Sequence, residues 1–375
     1  MKGALRWMRF GLVLSLAFGA SLAAGDEQTL VLPRPSGPDG VGTMVWHWID
    51  EERPDELSAD SGDRRAIMAQ VWYPATVAED APRAPYAPLH PELTMVRPWS
   101  VPSAPLVAAG GRLPVVVLSP GRGMARHFYT GVAEDLASHG YLVLAVDSPY
   151  IGRVIYPDGR LISPDPRFRP SRELMMGPYE EVDRFFEPPT ALGAGDIAFA
   201  LRRLAELDRA DPSGRLTGRV DLGRLGVFGH SLGGRIAGAV TGSDERVRAF
   251  AAMEGVAPRK VRQGGLDAAA LVLYSSSLPD IAQPNLRDII ANRRNDVFLA
   301  RLEGFGHNSV TDLPLLDPAT YGAEVDSGLG LERTRALLRS FFDRYVRQRS
   351  VSFNALGELP EVTLEHFPAP PSGND

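Results

Sequence analysis

The chain has 375 residues, 44% of them apolar, enough for a substantial core in one large domain or two modest ones. Its net charge of −6, with 40 Lys and Arg scattered rather than clustered, gives no footprint for nucleic acid. Cysteine is absent, which excludes disulfides and thiolate metal sites, and no metal or other cofactor is expected.

Residues 1–24 read as an export signal. Lys2, Arg6 and Arg9 make a basic start, Phe10 to Ala20 is an apolar run too short to span a bilayer comfortably, and Ser21-Leu22-Ala23-Ala24 offers cleavage after Ala23 or Ala24. The expected mature protein is periplasmic or secreted, with a retained membrane anchor as the alternative. No cysteine follows the run to carry a lipid, and no later stretch is long and apolar enough to be a transmembrane helix.

The body of the chain is expected over 25–349. Leu32–Gly42, dense in Pro and Gly, reads as an extended lead-in. Thr43–Asp50 and Ala66–Tyr73 read as strands around the charged turn Glu51–Asp63, and Ala81–Gly111 as a proline-rich loop wrapping the surface. A regular pattern then begins. Leu113–Ser119 is a nearly continuous apolar run, as in a strand buried on both faces. Pro120-Gly121-Arg122-Gly123 is a tight turn, Phe128–His139 has helical spacing and stops at Gly140, and Tyr141–Val146 is the next buried strand. Residues 150–189 are long, proline-bearing and poorly periodic, with a short helix within Glu173–Phe186, and form a candidate lid or pocket wall. Thr190–Leu207 is an amphipathic helix. Strands follow at Leu225–Phe228, Val247–Met253, Ala270–Ser275 and Val297–Leu302, with a closing helix at Leu331–Arg347. This alternation predicts an α/β fold, a mostly parallel central sheet with helices on both faces. Residues 350–375 are polar and proline-bearing, and read as a peripheral tail.

The stretch Leu225–Gly234 carries the chemistry. Its apolar run ends in Gly229-His230-Ser231-Leu232-Gly233, a G-x-S-x-G match, and the small residues Gly234, Ala237, Gly238 and Ala239 open a helix behind it. That is the strand–turn–helix setting of a nucleophile elbow, in which a strained turn stands the Ser231 hydroxyl clear of the sheet. The first N–H groups of the following helix favour negative charge there. A nucleophilic serine needs a base, and the base an orienting carboxylate; behind an elbow of this kind they follow in the chain order Ser, acid, His. Of seven histidines only His307 and His366 follow Ser231. His307 sits in a glycine-flanked loop after the last strand and is the candidate base, whereas His366 lies in the tail and is expected to be solvated. His230 is read as structural, pointing elsewhere on the turn. Two carboxylates compete for the third role: Glu254, directly after Phe250–Met253, and Asp280, a few residues past the next strand. One oxyanion donor should be the N–H of Leu232, and a second should come from the turn after the first buried strand.

Val115–Tyr150, Val71-Trp72-Tyr73-Pro74 and Val220–Leu225 running into Gly-His-Ser-Leu-Gly-Gly resemble the platelet-activating-factor acetylhydrolases of the α/β-hydrolase superfamily. The resemblance spans roughly Val41 to Phe342. It implies an α/β-hydrolase fold, places the acid on Glu254 and gives the second oxyanion donor to the backbone of Arg122. The chain departs from the family in having Glu where Asp is usual, and Ser119-Pro120-Gly121 where a Ser-His-Gly turn is usual.

The expected function is therefore an exported serine esterase acting through an acyl-enzyme, with Ser231, His307 and Glu254 as triad. The resemblance suggests phospholipids with short or oxidised acyl chains. The alternatives are a broad carboxylesterase or polyester hydrolase and, in another class, an inactive hydrolase fold that binds an apolar ligand. A dienelactone hydrolase would use a cysteine nucleophile, which this chain lacks. The expected partner is a small ester or lipid.

Overall fold

The computed structural model describes residues 29–108, 111–275, 283–322 and 326–371. The expected export signal and Asp280 lie outside the described residues. The main sheet contains β1 (Gly40–Pro54), β2 (Arg64–Ala75), β3 (Leu113–Ser119), β4 (Leu142–Asp147), β5 (Val220–His230), β6 (Val247–Met253), β7 (Ala269–Ser275), β8 (Val297–Leu302) and β9 (Val362–Phe367). Their spatial order is β9-β8-β7-β6-β5-β3-β4-β2-β1, and the two-residue strand Val101–Pro102 adds the tenth position beside β1. Strands β8 through β4 in that order run parallel, while β9 is antiparallel to β8, β2 is antiparallel to both β4 and β1, and the Val101–Pro102 strand is parallel to β1.

Apolar runs without alternation form the middle strands because both faces are covered. Along β3, Val116 and Leu118 point into one core with Val132 and Leu136 of α1 (Thr130–Ser138). Val115 and Val117 point into the other, with Ile197, Leu201 and Leu204 of α2 (Glu187–Arg209) and Ile236 of α3 (Leu232–Thr241). The closing helix α4 (Ser327–Tyr345) adds Leu337, Leu338, Phe341 and Phe342 to the first core. Each such side chain contributes about 1.5–3 kcal/mol on burial, so the two faces lock the register of the sheet. The mostly parallel sheet with helices on both faces is as expected.

The ends of the chain differ from expectation. The tail from Ser350 is not peripheral: β9 pairs along its length with β8, and Phe353 stacks on Phe298 at 4.6 Å. His366 is solvent-exposed, as expected, although one face of its ring stacks on Phe298 at 4.3 Å and Nε2 reaches Asp296 at 3.4 Å. The segment 81–111 does more than wrap the surface, since Tyr86, Ala87, Leu93 and Val96 are buried in the first core. Prolines remove any period from it, but its apolar side chains still find a face to cover. The helices Arg259–Gly264 and Gln283–Ala291 were not expected, being short and polar-rich.

Candidate active site

Parallel strands place their carboxyl ends along one edge, where loops can carry side chains toward each other. The turn between β5 and α3 lies there, and Ser231 occupies it with φ 55° and ψ −121°. Such a backbone is costly for a residue with a Cβ. It is held by the Ser231 N–H donating to the Met253 carbonyl at 2.8 Å, and by the Ser231 carbonyl accepting from Gly234 N–H at 3.0 Å. The flanking glycines are needed for space: a Cβ on Gly229 would fall inside the Gly233 carbonyl, and one on Gly233 inside the Ser119 carbonyl.

Gly233 thus packs directly on the turn that follows β3. In that turn the Gly121 N–H is taken by the Tyr129 hydroxyl at 3.0 Å and the Gly123 N–H by the Ile151 carbonyl at 2.8 Å. The N–H of Arg122, between them, has no hydrogen-bond partner among the described residues, and neither does that of Leu232, the first residue of α3. Both are therefore available to an anion. The Arg122 guanidinium is half-buried, and burial together with nearby Arg169 lowers its hold on its proton.

Glu254 directly follows β6. It has φ 54°, and its N–H donates to the Leu273 carbonyl at 2.8 Å. That kink turns the carboxylate inward, where it is nearly inaccessible to water. One oxygen, Oε1, accepts the Ser275 N–H at the end of β7, and the other, Oε2, lies 3.5 Å from His307 Nδ1. His307 comes from the loop after β8 and remains 37% exposed. With Nδ1 facing Glu254, Nε2 is the ring nitrogen left for proton transfer. The structure thus brings together Glu254 and His307 from the ends of different strands and sets them next to the Ser231 turn through His230.

His230 does not point elsewhere, as its place before the serine suggested. Its ring is buried against the His307 ring, centroids 4.7 Å apart, and Nε2 lies 2.9 Å from the His307 carbonyl oxygen. A carbonyl only accepts, so Nε2 carries the proton and Nδ1 accepts the Tyr129 hydroxyl at 2.8 Å. Burial, with His307 close by, holds the His230 imidazole well below its ordinary range, so the ring is neutral. Burial likewise raises the Tyr129 phenol, which stays a donor. Tyr129 was not singled out by sequence reasoning, because its partner is 101 residues away.

The insertion after β4 packs beside the Arg122 turn, where the Arg153 N–H donates to the Met124 carbonyl at 3.3 Å. It contains a small hairpin, Val154–Ile155 with Leu161–Ile162, and the short helices Arg172–Met175 and Tyr179–Phe185. Its final part is pinned to α3: buried Asp183 pairs with Arg235, which also donates to the Asp183 carbonyl at 2.9 Å and to Thr190 Oγ1 at 3.0 Å. Among the described residues no group of three or more acidic, His or Cys side chains is placed to hold a metal ion.

A family model described as "Platelet-activating factor acetylhydrolase, isoform II" matches residues 93–149, the stretch that carries β3, the Arg122 turn, α1 and β4. The solved structure of a ferulic acid esterase from Streptomyces cinnamoneus is similar over 90% of this chain and 99% of its own, at 30% identity and a TM-score of 0.73. No curated protein sequence matches significantly.

Proposed function

The chain belongs to the α/β-hydrolase superfamily, as a serine carboxylic ester hydrolase of the platelet-activating-factor acetylhydrolase-like kind, and from that premise we propose that Ser231, His307 and Glu254 are its triad. The observation that carries this is the convergence of a strained serine at the elbow with a buried Glu254 3.5 Å from the imidazole of His307. In the proposed cycle His307 Nε2 takes the Ser231 proton as Oγ attacks the ester carbonyl. The N–H groups of Leu232 and Arg122 hold the resulting oxyanion, and one such donor is worth about 2.7–4 kcal/mol. His307 then protonates the departing alcohol, and the acyl group stays on Ser231. Water, deprotonated by the same nitrogen, attacks the acyl-enzyme, and collapse returns the acid product and free serine. Glu254 keeps Nδ1 protonated and stabilises the imidazolium throughout.

Two substrate readings follow. The family match over 93–149 favours phospholipids with short or oxidised acyl chains. The likeness over 90% of the chain to a ferulic acid esterase favours esters of aromatic acids. We also propose that the protein acts outside the cytoplasm, on the basic start, short apolar run and small-residue site within 1–24. The test is a panel of short-chain nitrophenyl, phospholipid and hydroxycinnamate esters, run with wild type and Ser231→Ala. Hydrolysis that vanishes in Ser231→Ala supports the mechanism, and the best substrate selects between the readings. Full activity in Ser231→Ala contradicts it.

A further inference from the structure

Most of the groups around the elbow are accounted for by the proposed cycle. Tyr129 and His230 are not, yet they sit in its centre, both wholly buried. Their hydrogen bonds form one directed chain: Gly121 N–H to Tyr129 Oη at 3.0 Å, Tyr129 O–H to His230 Nδ1 at 2.8 Å, and His230 Nε2–H to the His307 carbonyl at 2.9 Å. One end is the turn that presents the Arg122 N–H, and the other is the main chain of the proposed base. We propose that Tyr129 and His230 are positioning residues, a buried brace that sets the oxyanion turn and the His307 loop at a fixed separation.

The inference rests on the triad assignment above. Three features make the brace more than core filling. First, every atom in it has a single possible role: the carbonyl fixes the His230 tautomer, the tautomer makes Nδ1 an acceptor, and the phenol must then donate to it. The order of donors cannot reverse without breaking a bond. Second, both ends belong to loops, so no ladder or helix ties them to each other. Third, the Gly121 N–H is taken by Tyr129 while the neighbouring Arg122 N–H has no partner among the described residues. By accepting from Gly121, Tyr129 commits that amide and leaves Arg122 as the free donor of the turn. The neutrality imposed by burial on His230 keeps the same pattern of donors across the working pH range. In a dry interior such a chain is stiff, since each bond polarises the next.

A brace of this kind acts on turnover rather than on substrate binding. A displacement of about 1 Å in a catalytic group costs about 10²-fold in rate. Tyr129→Phe removes one oxygen and keeps the ring. Expected is a fall in kcat of roughly ten- to a hundredfold, with KM changed less than about twofold and the organophosphonate-titrated number of active sites unchanged. His230→Leu should do the same, whereas His230→Gln, whose amide can accept from Tyr129 and donate to the His307 carbonyl, should recover most of kcat. The double variant Tyr129→Phe, His230→Leu should cost no more than the worse single one, because either change breaks the same chain. If His230→Leu does not fold, Tyr129→Phe and His230→Gln decide the matter between them. Unchanged kcat in Tyr129→Phe overturns the inference, as do multiplicative losses in the double variant or losses that follow thermal stability alone. A wild type that is not labelled at Ser231 would instead remove the reading on which it rests.

Discussion

Glu254 shows how one residue can be specified by its backbone. Its φ of 54° and its N–H bond to β7 turn the carboxylate off the strand end and back under His307. Glu is one methylene longer than the Asp usual at this position in the resembling family, and that reach lets Oε1 take the Ser275 amide while Oε2 faces the imidazole. Glu254→Gln keeps the shape and removes the charge that, in the proposed cycle, stabilises the imidazolium. Turnover should fall by a large factor, up to about 10⁴, while Asp280→Asn should be mild. Steady-state turnover of the two variants, with melts to check folding, decides between them. A crippled Asp280→Asn beside an active Glu254→Gln would move the acid to the later strand. The competition could not be settled from the residues alone, because both carboxylates follow apolar runs. The resemblance favoured Glu254, and the paired imidazole now supports that choice.

Asp312 behaves differently. It closes the His307 loop, accepting the Gly131 N–H at 3.1 Å and the Tyr86 hydroxyl at 3.0 Å in a wholly buried position. Burial pushes its carboxyl up to about 7, with neighbouring Glu134 adding in the same direction and the two hydrogen bonds and Arg335 opposing. An unfolded aspartate titrates near 3.9. Between those values the native state holds the extra proton, so this contribution is complete below about pH 4 and is lost as pH rises through about 7. Urea unfolding midpoints should therefore decline over that window, and Asp312→Asn should flatten the decline. An identical slope in the variant would show that Asp312 does not titrate there.

Among the elements, the end of the insertion after β4 is clamped at buried Asp183, which pairs with Arg235 and lies 3.9 Å from buried Arg262. Arg235 on α3 and Asp183 on the helix Tyr179–Phe185 are each 7% exposed at the side chain. Removing one partner strands the other charge, at about 3–5 kcal/mol. Asp183→Ala should lower stability by that amount and open residues 172–189 to proteolysis ahead of the sheet. Equal cleavage rates in variant and wild type would show that the pair does not hold the insertion. The sequence suggested a lid or pocket wall from length and missing period. The clamp itself was illegible, since a lone Asp in a charged helix and an Arg four residues past the nucleophile look like surface residues. Strands buried on both faces were far easier to read. Apolar runs at Leu113–Ser119, Val247–Met253 and Val297–Leu302, the last two each interrupted by a single arginine (Arg248, Arg301), mark those elements. β9 escaped notice because it is an edge strand, with Val362 its one buried residue and polar side chains between.

For the whole molecule, the two main cores and the sheet order put the proposed serine, acid and base at one edge, although they come from positions 231, 254 and 307. The tail finishes the sheet at its far side. A chain ending at 349 would uncover β8 and lose the burial of Phe353 and Val362, each worth about 1.5–3 kcal/mol. It should melt lower and aggregate through the bared edge, whereas an unchanged melting curve would show that β9 is dispensable. In the proposed cycle Ser231 is the nucleophile of an ester hydrolase. The most direct measurement is reaction of the folded protein with an organophosphonate, followed by peptide mass spectrometry. One phosphonyl group on Ser231, with loss of esterase activity in step with labelling, is the predicted result. A label on another serine, or full activity after Ser231 is blocked, would contradict it.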